Sequence, residues 1–124
     1  MSRVYYNKLI RDGIPDKIEK KGEKYEVREL SDTQEFHQEL LKKIVEESHG
    51  VAHARTREEF LDEYADLMVV LMAVEKEMEL SEADIKLAIE DNVTRKGKFE
   101  QRLFLHWSED SAYESNETPQ GIKH

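Results

Sequence analysis

Glu46, Glu47, Glu63 and Asp66 stand where helical geometry can gather them into one carboxylate cluster. At about 100° per residue, Glu47 falls on the flank of an apolar stripe formed by Leu40, Ile44 and Val51, and Glu46 falls further round. On the next helical segment Glu63 and Asp66 are three residues apart, beside Val70 and along the edge of a stripe built from Phe60, Leu67 and Leu71. An antiparallel pairing of the two segments would bring these carboxylates together. Carboxylates crowded at a helix interface repel one another and lose solvation, so they need a cation or must take up protons. Oxygen ligands that leave room for waters suit Mg²⁺, with Mn²⁺ as the second choice. The opposing reading is an acidic surface seam paired with Lys42, Lys43 and Lys76, and spacing alone leaves the two open.

Other chemistries find less support. The glycines are scattered, so there is no glycine-rich phosphate loop, and the absence of cysteine removes both a thiol nucleophile and a thiolate metal site. His49 and His53 are four residues apart, a spacing that can hold a metal, yet the flanking glutamate of zincin helices is missing. Met68, Met72 and Met78 recur at helical spacing and read as packing.

The elements that must carry the carboxylates announce themselves through caps and periodicity. Ser31 and Asp32 can each cap a helix, with Gln34 and Glu35 three residues on, and Phe36, Leu40, Leu41, Ile44, Val45, Val51 and Ala52 then give one apolar stripe reaching about residue 54. Thr56 with Glu59 repeats the pattern ahead of Phe60, Leu61, Tyr64, Leu67, Met68, Leu71, Val74 and Met78, the most apolar stretch of the chain. Ser81 with Asp84 opens a third helix bearing Ile85, Leu87, Ala88, Ile89 and Val93, which Gly97 should stop. Upstream, Pro15 opens a short helix that Lys21 and Gly22 close. Short connections favour antiparallel neighbours, so the expected fold is an all-α, antiparallel helical bundle. Tyr25 and Val27 alternate with polar neighbours in residues 24–30, Leu103, Leu105 and Trp107 alternate with Arg102, Phe104 and His106 in residues 99–107, and the two segments are expected to pair as a two-stranded ribbon.

Composition bounds the rest. A chain of 124 residues fits one domain, here expected over 1–107, followed by a polar, disordered tail over 108–124. The longest apolar stretch, residues 67–74, is far short of the roughly 20 residues that span a bilayer, and residues 1–10 lack the apolar run of a signal peptide. A soluble, cytoplasmic protein without a membrane partner is the expectation. Charged residues make up 38% of the chain and the net charge is −9, which disfavours nucleic acid as the main partner. An anionic nucleotide remains possible where a divalent cation bridges it to carboxylates.

Tyr6-Asn7-Lys8-Leu9-Ile10-Arg11-Asp12 followed by Ile14-Pro15, the pair Glu46-Glu47, the run Glu63-Tyr64-Ala65-Asp66, and Arg95-Lys96-Gly97-Lys98-Phe99-Glu100 followed by Arg102 together resemble the MazG-like and phosphoribosyl-ATP pyrophosphohydrolase-like group of all-α nucleoside triphosphate pyrophosphohydrolases. The resemblance covers residues 5–105 in the order of its elements. It implies Mg²⁺-dependent cleavage between the α- and β-phosphates, giving a monophosphate and pyrophosphate, on non-standard or surplus nucleotides. It also implies Glu47, Glu63 and Asp66 as metal ligands, Glu46 as an outer ligand or base that positions water, and a homodimer or homotetramer. Lys8, Arg11, Arg95, Lys98 and Arg102 become candidate donors to phosphate, and Asn92 a candidate contact to base or sugar. Each of these is, on its own, an ordinary solvated or capping side chain. One departure stands out: the family's third glutamate, three residues after the pair, is Gly50 here. Its loss favours an alternative, a non-catalytic nucleotide- or metal-binding module on the same fold, and a purely structural helical oligomer is the third reading. His49 or His53 as replacement ligand would move the preference from Mg²⁺ toward Mn²⁺ or another transition metal.

Overall fold

Local chemistry sets the helix boundaries. The computed structural model describes residues 2–109, and within them the chain forms α1 (Ile14–Lys20), α2 (Thr33–Ala52), α3 (Arg57–Glu77) and α4 (Glu82–Lys96). Pro15 sits in the first turn of α1, and Gly22, with φ 75°, follows its end. Asp32 caps α2 by accepting from the amides of Gln34 and Glu35 at 2.9 and 3.4 Å. The Glu35 side chain does not close the expected capping box; it grips Arg28 with both oxygens instead. Thr56 Oγ1 accepts from the Glu59 amide while Glu59 accepts from the Arg55 amide, so two otherwise orphaned donors are satisfied. Ser81 and Asp84 exchange the reciprocal pair of bonds at the start of α4. Gly97, with φ 78°, ends that helix by donating to the Val93 carbonyl at 2.7 Å.

The chain divides into two units, Met1–Leu87 and Ala88–His124, the boundary falling inside α4. In the first unit α2 and α3 pack as an antiparallel hairpin. His37, near the start of α2, meets Glu77 at the end of α3 at 2.7 Å, while Glu47, late in α2, faces Glu63 and Asp66, early in α3. The apolar seam between the helices holds the two most buried hydrophobics of the described residues, Leu40 at 3% exposure and Val70 at 6%. Burying such a side chain contributes about 1.5–3 kcal/mol.

The chain is all-helical, but the expected ribbon is not formed: no strand occurs among the described residues. Leu103, Phe104 and Leu105 are consecutive, which breaks a two-residue alternation, and all three are exposed. Arg102 has φ 57°, in the left-handed region, and its amide closes a turn onto the Phe99 carbonyl. A ribbon with no third strand and no buried face is marginal in water. The tail expected over 108–124 lies, from residue 110 on, outside the described residues. Among the described residues no helix is long and apolar enough to cross a membrane.

Candidate metal centre

One carboxylate oxygen from each of Glu47, Glu63 and Asp66 lies within 4.8 Å of the others. The hairpin makes this meeting: Glu47 rides the flank of the Leu40 stripe on α2, and the three-residue step from Glu63 to Asp66 keeps both on the facing edge of α3. All three side chains are half-buried. Donor chemistry fits a small, hard cation. Around one octahedral Mg²⁺ at roughly 2.1 Å, adjacent oxygens stand about 3 Å apart and only one pair of the three could lie opposite at about 4.2 Å, so the side chains would have to close in by up to roughly 1.8 Å through rotation about their flexible bonds.

Two of the three carboxylates have a cation at hand. Lys43 stands 3.4 Å from Glu47 and 3.0 Å from Glu46, and the Arg11 guanidinium donates to Asp66 at 3.1 Å. Among the described residues Glu63 forms no ion pair. Loss of solvation, then the charges of Asp66 and Glu47, push its carboxyl above the usual glutamate range. The acidic-seam reading is therefore half right: Lys43 does neutralise its neighbours, Lys42 pairs with Glu39 instead, and a carboxylate is left over.

A raised value in the folded state means that the metal-free fold keeps this proton where the unfolded chain has lost it. The contribution to stability is full below the unfolded value of 4.5 and is lost as pH rises through the folded value. In a carbon-detected NMR titration of metal-free protein, Glu63 should titrate above an ordinary glutamate, and Asp66→Asn should move it back down by removing a like charge. An ordinary midpoint in the wild type would contradict the crowding described here.

Glu46 stands outside the trio. Lys8 bonds to it at 2.8 Å and, with Lys43, holds its carboxyl below the usual range, Lys8 having the larger effect. Glu46 therefore supports stability above its unfolded value and loses that support as pH falls through its folded one. The same bond raises Lys8. Lys8 and Arg11, expected as donors to phosphate, thus rest on Glu46 and Asp66. Asn92 and Arg95 lie on the last turns of α4, with Lys98 and Arg102 beyond it, all in the second unit and all exposed. Arg95 pairs with Asp91 on its own helix at 2.9 Å.

His49 and His53 are not in the trio. They stack with ring centroids 5.3 Å apart, and His53 Nδ1 donates to the His49 carbonyl at 2.8 Å. Both line a shallow groove on α2 with Ile44, Val45, Ser48 and Ala52. Sequence reasoning missed that Gly50 is where α2 makes room for the Glu63 side chain. The signal was present, since Gly50 falls three residues after Glu47 on the flank that faces α3.

The chain matches no family model, no curated protein and no solved structure in comparisons with known proteins.

Proposed function

We propose that this chain is a Mg²⁺-dependent nucleoside triphosphate pyrophosphohydrolase of MazG-like type, cleaving between the α- and β-phosphates of non-standard or surplus nucleotides. The observation that carries this reading is the convergence of Glu47, Glu63 and Asp66 from the two arms of one helical hairpin, with Lys8 and Arg11 at the rim. Bound there, Mg²⁺ would supply a water of lowered pKa and offset the charge on the departing pyrophosphate. Glu47, Glu63 and Asp66 would hold the cation through oxygen. Glu46, kept ionised by Lys8 and Lys43, is a weak proton acceptor and suits orienting a water by hydrogen bond better than taking its proton. Lys8 and Arg11 supply positive charge for phosphate oxygens, and the resemblance adds Arg95, Lys98, Arg102 and Asn92 as substrate contacts. The test is pyrophosphate release from a panel of standard and modified NTPs and dNTPs with Mg²⁺ or Mn²⁺. Metal-dependent release supports the enzyme; nucleotide bound with metal but never cleaved supports the rival, a binding module. That rival is favoured by Gly50 in place of a carboxylate and by the engagement of Glu46 with two lysines.

A homodimer or homotetramer belongs to the same proposal. The hairpin leaves large apolar side chains uncovered on both helices, including Val45 at 64% exposure on α2 and Met72 at 61% on α3. Large apolar side chains left in water are candidates for burial against a second copy of the chain. Light scattering should find more than one chain per particle, and Met72→Glu, which would bury a charge in such an interface, should shift the mass toward one chain.

A further inference from the structure

Gly50 belongs to the half-buried face of α2 that meets α3. A Cβ built on it collides with Glu63 Oε2 and stands 2.9 Å from Glu63 Cδ and 3.6 Å from Cγ, and these three are its nearest neighbours. Real Cβ atoms essentially never approach a heavy atom below 3.0 Å. The helical backbone itself is ordinary here, since Gly50 is not among the positive-φ glycines. What glycine contributes at this position is therefore space and not a special backbone conformation.

The geometry points to Gly50 as a positioning residue: its bare Cα admits the Glu63 carboxylate to the trio with Glu47 and Asp66, so that Glu63 fills the place a side chain at residue 50 would take. The inference rests on the proposed metal centre for its consequence, though its steric content stands apart from it. Gly50 and Glu63 then form one unit, and the departure from the family pattern at residue 50 is matched by the position of a carboxylate from the other helix. Any side chain at 50 displaces Glu63 first, because the end of a flexible glutamate yields far more easily than two packed helices. The same substitution removes a helix-interior glycine, which favours the fold. The two effects have opposite signs, and that separates them.

Gly50→Ala, compared with wild type and with Ser48→Ala on the same helix, provides the test. Crystal structures of the metal-free proteins should show the Glu63 carboxylate swung away from Glu47 and Asp66 in Gly50→Ala alone. Calorimetric titration with Mn²⁺ should show affinity weakened tenfold or more in that variant, with Tm unchanged or a few degrees higher. Glu63 found in place, affinity unchanged, or a lower Tm with Glu63 unmoved would each overturn the inference. If the wild type itself binds no Mn²⁺, the proposed function falls, and the position of Glu63 in the two crystal structures decides this inference by itself.

Discussion

Replacing Asp66 with Asn should lower metal-dependent pyrophosphate release by at least about a hundredfold while leaving the fold intact. The loss would follow from taking an anionic oxygen out of the proposed site, where charge would hold the cation; perturbing even the groups behind such ligands costs 10–100-fold. The intact fold follows from two small opposing effects. Asn removes one of three crowded negative charges, which relieves repulsion on Glu47 and Glu63. It also removes the partner of Arg11, and that pair, with side chains 55% and 34% exposed, is worth about 0–1 kcal/mol. Circular dichroism and thermal melting should therefore match the wild type within a few degrees. Release that persists near the wild-type rate in a folded Asp66→Asn protein would remove the metal centre from the mechanism.

The second large effect is on stability. Leu40→Ala should cost about 2–5 kcal/mol, the range for large-to-small changes at buried sites. Total stabilities of domains run to about 5–15 kcal/mol, so this one truncation threatens the hairpin. The exposure is acute because Leu40 and Val70 are the deeply buried hydrophobics of the described residues, and few other contacts can absorb the cavity. Urea denaturation at fixed protein concentration, followed by circular dichroism, measures it. A cost below about 1 kcal/mol would mean that the seam between α2 and α3 is not where the fold draws its stability.

The helices were legible because their signals are local. Asp32, Thr56 and the Ser81–Asp84 pair each cap the helix that their spacing announced, and Gly97 stops α4 where the sequence places the stop. The carboxylate trio was legible for a related reason: a period of 3.6 residues fixes which flank each residue occupies, and an antiparallel hairpin does the rest. What stayed hidden depends on partners distant in sequence. The ribbon failed because alternation in 24–30 and 99–107 carries no information about a third strand or a covering face. Lys8 and Arg11 were expected to wait for phosphate, whereas nothing in their spacing reveals Glu46 and Asp66 as nearer anions. Glu35 reached for Arg28 and not back to its own cap for the same reason. The flank of Gly50 could be read from its spacing to Glu47, whereas the approach of the Glu63 carboxylate to it is a matter of one rotamer across a helix pair, a scale below any periodicity.

The contact between Arg11 and Asp66 changes what an affinity for metal would mean in this protein. Arg11 donates to a single oxygen of Asp66, Oδ1, so a cation shared there would meet the arginine as a competing positive group, displacing it or taking the other oxygen. Where the cation displaced the arginine, loss of the pair would cost about 0–1 kcal/mol, up to roughly fivefold in the apparent dissociation constant. Added salt then acts in two directions: it loosens the internal pair, which helps the incoming ion, and screens the carboxylates that attract it. Among the described residues, Arg11 is one of two ion-pair ties from residues 2–13 to the hairpin, Lys8 with Glu46 being the other, so a cation that displaced the arginine would loosen the segment that precedes α1 while the lysine still held it.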